Sequence, residues 1–138
     1  MKPLVEVLRK FEVKSGRARV LIVEDNFLIA LQIEEMLTGA GMRVVGIASS
    51  ADQAIELAAR ERPALAVMDV RLAGERDGID AAGELFQRFN VRSIFATAND
   101  DPNTRARAAS YAPLGWLTKP YTMTSLLIAM AAALTDLG

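Results

Sequence analysis

The chain has 138 residues, 51% of them hydrophobic, which suits one domain with a single buried core. Its 16 basic and 17 acidic residues give a formal net charge of -1, so the composition offers no field for a polyanion and nucleic acid is not an expected partner. Cysteine and histidine are both absent, which excludes disulfides, thiolate chemistry, histidine-containing catalytic triads and histidine metal cages. Any chemistry therefore rests on carboxylates, hydroxyls and lysine.

The two ends of the chain indicate where the domain begins and where the protein is located. Residues 1–16 carry charges throughout and lack the apolar core of a secretory signal, so we expect a cytoplasmic protein. The stretch "PLVEVLRKF" predicts a short amphipathic helix in this N-terminal extension, and local packing and a dimer or partner contact both stay open. We assign the domain to residues 17–138. The apolar segment 125–138 falls well short of the ~20 residues that span a bilayer, and it predicts a terminal helix without a membrane partner.

Five short apolar runs follow one another along the chain. Their apolar residues are continuous rather than alternating, which is typical of strands that are buried on both faces. The runs are "ARVLIVED" (18–25), "MRVVGIAS" (42–49), "PALAVMDV" (63–70), "VRSIFATA" (91–98) and "LGWLTKP" (114–120).

Segments with helical spacing separate these strands. Gly39 and Gly41 are stop signals of the first helix, and Ser50 with Gln53 is a capping-box pattern at the start of the second. The third helix is predicted from about Gly78 to Asn90. The fourth starts with Asp101 as a cap before Pro102, and the last starts near Thr122. Five strands alternating with five helices predict an α/β fold with a doubly wound parallel sheet, because parallel neighbours need helical crossovers.

Polar residues mark the ends of four predicted strands. Glu24 and Asp25 end the first strand, Asp69 the third, Thr97 the fourth and Lys119 the fifth. In an open α/β sheet the carboxyl ends of the strands share one edge, where ligands bind. Each residue alone has an ordinary structural explanation, such as a helix cap, a β-branched strand residue or a surface charge. Together they predict a functional site.

The chemistry of this set indicates phosphoryl transfer. Three carboxylates in one place repel each other unless a cation is present, and a site of few carboxylates suits Mg²⁺. Asp69 could then act as a nucleophile that forms an aspartyl phosphate. Lys119 would neutralise the phosphoryl group in transit, and Thr97 would donate a hydrogen bond to one of its oxygens.

Four motifs now resemble those of a known family. "LIVEDN", "VMDV", "FATA" and "GWLTKP", in this order and with helices between them, are similar to the receiver domain of two-component response regulators over about residues 17–136. The resemblance implies a flavodoxin-like sheet of order 2-1-3-4-5 with five helices. It also implies that Asp69 is the phosphoacceptor and that Asp25, Asp69, Glu24 and the backbone carbonyl of Arg71 hold Mg²⁺, Glu24 largely through a water.

The same resemblance assigns roles to the remaining site residues. Thr97 and Lys119 would bind the phosphoryl group, and Trp116 falls at the usual position of an aromatic switch side chain, with core packing as its alternative role. Arg71 and Asn99 lie two residues beyond Asp69 and Thr97, where the family tunes the lifetime of the phosphoaspartate. We expect both to control access of water to the phosphorus.

The resemblance also names partners. A receiver takes its phosphoryl group from a phosphohistidine on a sensor histidine kinase or a histidine phosphotransfer protein, which explains why this chain has no histidine of its own. Phosphorylation would reshape the face formed by helix 4, strand 5 and helix 5, where a target protein docks. Little sequence follows the fifth helix, so we expect a stand-alone, chemotaxis-regulator-like receiver that acts as an output, a shuttle or a phosphate sink. A homodimer is also possible.

The loop after Asp69 departs from the common family pattern. Ala73 stands where most receivers have a proline, and "RLAGERDG" is one residue longer than the common loop. Together with the "FAT" of "FATAND", this loop resembles a branch of receivers associated with sensor kinases of the HWE type.

Two other functions compete with the receiver. A haloacid-dehalogenase-type phosphatase also uses an aspartyl nucleophile and Mg²⁺, but it needs a second aspartate two residues on, where this chain has Arg71. A pseudo-receiver would keep the fold as an interaction module without phosphorylation, and the presence of all five site residues argues against it. We therefore expect a phosphoacceptor rather than a conventional enzyme.

Overall fold

The computed structural model describes residues 18–138, so the predicted N-terminal extension lies outside the described residues and the proposed domain boundary stays a prediction. Strands and helices alternate along the chain. The strands are β1 (Arg19–Val23), β2 (Arg43–Ala48), β3 (Leu65–Asp69), β4 (Arg92–Thr97) and β5 (Gly115–Thr118). The helices are α1 (Phe27–Gly39), α2 (Ala51–Glu61), α3 (Gly78–Phe89), α4 (Pro102–Ala108) and α5 (Met123–Leu137), with a short 3₁₀ turn, Ala109–Tyr111, after α4.

The five strands form one sheet in the order β2-β1-β3-β4-β5, and every pair of neighbours is parallel. The predicted doubly wound sheet and its strand order are therefore confirmed. The chain winds outward in both directions from β1 and β3, so the strand order reverses between these two strands. Their carboxyl ends, where ligands bind in such sheets, carry the acidic residues of the predicted site.

Burial distinguishes the inner strands from the edge strands. β1, β3 and β4 are buried along almost their whole length, as the continuous apolar runs predict. The same prediction is wrong for β2 and β5, in each of which only one residue is fully buried. Each of these has a neighbouring strand on one side only, so part of its length faces solvent. Every strand is also one or two residues shorter than its apolar run at each end.

Two cores lie on opposite faces of the sheet. Alternate residues of β1 point to the two sides: Val20 and Ile22 pack with α1 and α5, whereas Leu21 and Val23 pack with α2 and α3. This alternation follows from the two-residue period of a strand. Among residues 18–138, no helix combines the length and the apolar character that crossing a bilayer requires.

Side-chain caps start all five helices. The capping residues are Asn26, Ser50, Asp77, Asp101 and Thr122, each accepting a hydrogen bond from the backbone N–H three residues on. The chain thus places polar residues in the loops after its strands for a local reason as well as a functional one.

The predicted capping box of α2 forms only in part. Ser50 Oγ accepts from Gln53 N at 3.2 Å, as expected, but Gln53 Oε1 accepts from the backbone N–H and the hydroxyl of Ser49, each at 2.9 Å. The return bond therefore reaches one residue further back than the sequence pattern predicts.

The predicted stop of α1 is present. The helix ends at Gly39, and Gly41 has a φ of +91°.

Candidate functional site

Three carboxylates converge at the carboxyl edge of the sheet. Glu24 and Asp25 follow β1 directly, and Asp69 is the last residue of β3. One carboxylate oxygen from each of the three lies within 4.8 Å of the other two. Glu24 and Asp69 are 3% and 6% exposed, whereas Asp25 is exposed to solvent. The sheet therefore joins residues that are 45 positions apart, with two charges buried and one at the rim.

Lys119 bridges the two buried carboxylates. Its Nζ lies 3.1 Å from Glu24 Oε1 and 3.2 Å from Asp69 Oδ2. The second oxygen of each acid accepts from a backbone N–H, Glu24 Oε2 from Asn26 at 3.1 Å and Asp69 Oδ1 from Arg71 at 3.2 Å. Both carboxylates are thus held at both oxygens, which fixes their orientation.

The pKa of two of these groups is raised, for Glu24 mainly by burial and for Lys119 by its acidic neighbours. Burial raises the pKa of Glu24, and the neighbouring Asp69 carboxylate raises it further. Burial alone would lower the pKa of Lys119, but the hydrogen bond to Glu24 and the charge of Asp69 outweigh it, so the pKa of Lys119 is raised. The lysine therefore stays protonated at neutral pH, while Glu24 is the acid that takes up a proton more readily than usual.

Thr97 lines the same cavity, whose volume is about 320 Å³. It is the last residue of β4 and is 5% exposed. Its Oγ1 accepts from the backbone N–H of Asn99 at 3.1 Å and donates to the Asn99 carbonyl at 3.0 Å. The hydroxyl is therefore engaged in a local turn and would have to leave it to contact a group on Asp69.

Trp116 lies outside this cavity. It is next to Phe95 across β4 and β5, with ring centroids 4.7 Å apart and planes inclined by 24°. The Arg105 guanidinium carbon lies 4.9 Å from its ring centroid. Trp116 therefore packs on the core through Phe95, as its alternative role requires, while its switching role stays a prediction.

Two residues of the site escaped sequence reasoning. Tyr121 follows Lys119 and Pro120, just beyond the quoted motif, and its buried hydroxyl finds no hydrogen-bond partner among residues 18–138. Burial, with the charges of Glu24 and Asp69, raises the pKa of Tyr121 to about 12. Gly78 starts α3, and a Cβ there would overlap the carbonyl oxygen of Asp69. The only sequence signal for this close approach was a glycine at a predicted helix start.

The comparison with protein families agrees with this geometry. The model of the response regulator receiver domain matches residues 20–131. The chain belongs to this family. Receiver domains are signalling modules of two-component systems that interact with kinases and downstream targets, and they generally bind Mg²⁺ at an acidic pocket.

Two of the curated proteins that resemble this receiver are named as regulators. The transcriptional regulatory protein PdtaR of Mycobacterium tuberculosis is 36% identical over 117 residues, which cover 85% of this chain and 57% of PdtaR. The phyllosphere-induced regulator PhyR of Methylorubrum extorquens is 39% identical over 80 residues, 57% of this chain and 30% of PhyR. The receiver thus spans about half the length of PdtaR and less of PhyR.

Solved receiver domains share the fold. The receiver domain of PhyR from Erythrobacter litoralis has a TM-score of 0.76 at 33% identity, covering 86% of this chain and 91% of that one. The receiver domain of a modulated diguanylate cyclase from Desulfovibrio desulfuricans has a TM-score of 0.80 at 32% identity, covering 88% and 96%.

The donor atoms of the receiver suit the Mg²⁺ that its family implies. Carboxylate oxygens are hard ligands, and Glu24, Asp25 and Asp69 bring three carboxylates together beside an open cavity. A divalent cation also relieves the repulsion that raises the pKa of Glu24. The acidic pocket therefore fits Mg²⁺ on its own chemistry.

Proposed function

We propose that this receiver accepts a phosphoryl group on Asp69 from a phosphohistidine of a sensor histidine kinase or a histidine phosphotransfer protein. The observation that carries the proposal is the position of Asp69. Its carboxylate sits at the end of β3 in a cavity open to solvent, with one oxygen at Lys119 Nζ and the other at the Arg71 N–H. Such an acid is oriented and accessible to a donor.

The transfer itself needs little covalent chemistry from the chain. A bond forms between an Asp69 oxygen and phosphorus while the bond between phosphorus and the imidazole nitrogen breaks. The imidazole leaves as a neutral ring when its second nitrogen carries a proton. Positioning and charge stabilisation supply most of the remaining catalysis in phosphoryl transfer.

Mg²⁺, held by Asp25, Asp69, Glu24 and the Arg71 carbonyl, would neutralise negative charge on the phosphoryl oxygens. The ammonium of Lys119 would also neutralise negative charge on these oxygens. Its ammonium already lies 3.2 Å from Asp69 Oδ2, so a short movement brings it to a phosphoryl oxygen. Thr97 would release the Asn99 backbone and donate its hydroxyl to another oxygen. Thr97 would favour the phosphorylated state because it exchanges a hydrogen bond to a neutral backbone group for one to a charged oxygen.

Phosphorylation would then act on the face formed by α4, β5 and α5. When Thr97 moves toward the phosphoryl group, Trp116 can follow into the vacated space, and a target protein would dock on the changed face. This is a shift between two populated states of one fold. We place the pathway in the cytoplasm, with no nucleic-acid contact by the receiver itself. The proposal also allows a homodimer.

The lifetime of the phosphoaspartate would depend on Arg71 and Asn99. Both are exposed, two residues beyond Asp69 and Thr97, and Arg71 lines the cavity. Side chains there control how easily water reaches phosphorus. We expect Arg71→Ala and Asn99→Ala to change the dephosphorylation rate, and unchanged rates in both variants would remove this role. The loop that contains Ala73 resembles the branch associated with HWE-type sensor kinases, so we propose a kinase of that type as the donor.

The proposal is tested by incubating the protein with a small acyl phosphate and Mg²⁺ and measuring the intact mass. We expect wild type to gain one phosphoryl group and Asp69→Asn to gain none. Asp101→Asn is a matched control, because Asp101 is an acid directly after the β4 loop that caps α4 instead of lining the cavity. It should be phosphorylated like wild type.

Other outcomes separate the competing functions. An unmodified wild type with every donor would indicate a pseudo-receiver. Continuous phosphate release from many phosphoesters would indicate a phosphatase.

A further inference from the structure

We propose that Arg105 is a positioning residue of the switch, which holds Trp116 in its unphosphorylated place through an ion pair to the Thr97 loop. The inference rests on the proposed phosphorylation of Asp69. It concerns one contact, the guanidinium of Arg105 over the indole of Trp116, and what holds that guanidinium there.

Asp100 fixes the Arg105 side chain. The two form a bidentate pair, with Arg105 Nε 2.6 Å from Oδ1 and a terminal nitrogen 2.7 Å from Oδ2 of Asp100. A planar fork on a carboxylate is the most directional ion pair available to a protein. Asp100 therefore determines where the guanidinium plane lies, and the same group covers Trp116.

Side-chain contacts and the backbone together form a ring that begins and ends at Thr97. Its Oγ1 is bonded to the backbone of Asn99, and Asp100 is the next residue. Asp100 holds Arg105, whose guanidinium lies on Trp116, and Trp116 stacks on Phe95. Phe95 precedes Thr97 by two positions on β4, so both point to the same face of the sheet.

This ring couples the phosphoryl site to the docking face. If Thr97 turns toward a group on Asp69, its two bonds to Asn99 must break, and the loop that carries Asp100 loses its anchor. The guanidinium then no longer has a fixed carboxylate to hold it over Trp116. Linkage works in both directions, so a change that releases Arg105 also makes the movement of Thr97 easier.

The size of the effect follows from the exposure of the contacts. Arg105 and Asp100 side chains are 50% and 30% exposed, so solvent screens their attraction. A cation over an indole at an exposed site shifts a two-state equilibrium by roughly threefold to fivefold. Release of Arg105 should thus raise the apparent affinity for a phosphoryl mimic by about that factor.

The test uses the fluorescence of Trp116, which is the single tryptophan of the sequence. The full chain is titrated with beryllofluoride, a phosphoryl mimic, in excess Mg²⁺, and the midpoint is compared between variants. Arg105→Ala and Asp100→Asn should each lower the midpoint by roughly threefold to fivefold. The midpoint of the double variant should be no lower than that of either single variant, because both residues serve the same contact.

Arg88→Ala is the matched control. Arg88 also lies over an aromatic ring, at 5.0 Å from Phe89, and pairs with an acid, Glu84, at 2.7 Å, but it is on α3 and outside the ring of contacts. Its midpoint should equal that of wild type. Added salt should reduce the difference in titration midpoint between wild type and Arg105→Ala, since salt weakens an exposed ion pair.

Two outcomes overturn different claims. A saturable response in wild type with the same midpoint in Arg105→Ala and Arg88→Ala would disprove the role of Arg105 and leave the proposed function intact. If wild type gives no fluorescence response although its intact mass shows phosphorylation, Trp116 does not switch and the role of Arg105 is disproved. If the intact mass shows no phosphorylation either, the proposed function is wrong as well.

Discussion

The carboxyl edge of the sheet and the surface between α3 and α4 use the same residue types in opposite ways. At the edge, Glu24, Asp25 and Asp69 crowd together, and the two buried acids, Glu24 and Asp69, share Lys119. Between the helices, Asp77 and Asp80 instead meet Arg107, at 2.7 and 3.3 Å.

The first arrangement keeps like charges close, which opposes folding but prepares a site for a cation and a phosphoryl group. The second pairs opposite charges and stabilises the fold. Acidic residues in one chain can therefore lower or raise stability according to their neighbours.

The largest effect is expected where the two regions join. Gly78 starts α3 directly against the backbone of Asp69, and its N–H donates to the Val70 carbonyl at 2.7 Å. Gly78→Ala would push a methyl group into the Asp69 carbonyl and should lower the free energy of unfolding by about 3 kcal/mol. Urea unfolding measures this loss. Gly39→Ala is the control, because a Cβ there meets nothing within 4 Å, and the comparison fails if both variants unfold alike.

The paired region should lose stability when a charge is removed. Burial alone would raise the pKa of Asp77, but the hydrogen bonds from Arg107 and from the backbone of Asp80 outweigh it, so the pKa is lowered. A lowered pKa in the folded state adds stability above the ordinary value of 3.8, and this stability is lost as the pH falls through the folded-state value. Asp77→Asn keeps a capping oxygen and should cost about 1 kcal/mol near pH 7 after screening by solvent.

The pH dependence provides the check on this prediction. Thermal unfolding of wild type and Asp77→Asn should differ at neutral pH and converge as the acid side of pH 3.8 is reached. A difference that persists unchanged in acid would mean that the charge of Asp77 does not stabilise the fold.

The crowded region should gain stability when a charge is removed. Asp69→Asn preserves the shape of the side chain but takes one negative charge away from Glu24 and Asp25. We expect a gain of roughly 0.5–1 kcal/mol in the absence of Mg²⁺, because the repulsion it relieves exceeds the lost attraction to Lys119. Added Mg²⁺ should stabilise wild type more than this variant. Calorimetry with and without Mg²⁺ tests it, and a loss of stability in metal-free buffer would contradict the comparison.

The smallest effect is expected for an exposed pair in neither region. Arg60 lies 4.0 Å from Glu56 on α2, and its side chain is 61% exposed. Arg60→Ala should change the free energy of unfolding by less than about 0.5 kcal/mol. A larger loss would show that the number of ion pairs, and not their position, determines stability here.

The fold was largely predictable because its signals are local. Continuous apolar runs identified every strand, and Asp101 before Pro102 identified the start of α4, where Asp101 Oδ1 accepts from Thr104 N at 2.8 Å. Strand ends were less accurate, since the polar residues after each strand join caps and turns rather than the sheet. Burial of the edge strands also depends on tertiary neighbours, which the runs do not contain.

The membership of the site was predictable for a topological reason. Parallel strands bring their carboxyl ends to one edge whatever their separation in sequence, so Glu24, Asp69 and Lys119 could be grouped without coordinates. The side-chain contacts could not be predicted in the same way, because they depend on which partners the fold brings within reach. Examples are the two hydrogen bonds between Thr97 and the Asn99 backbone and the position of Arg105 over the ring of Trp116.

The most direct measurement is to locate the phosphoryl group along the chain. After reaction with an acyl phosphate and Mg²⁺, borohydride reduces an acyl phosphate side chain to an alcohol, and peptide mass spectrometry identifies the residue. The proposed function predicts homoserine at position 69 alone, with Glu24, Asp25 and Asp101 unchanged. Reduction at another acid, or at none while the protein is correctly folded, would contradict the assignment of Asp69 as the phosphoacceptor.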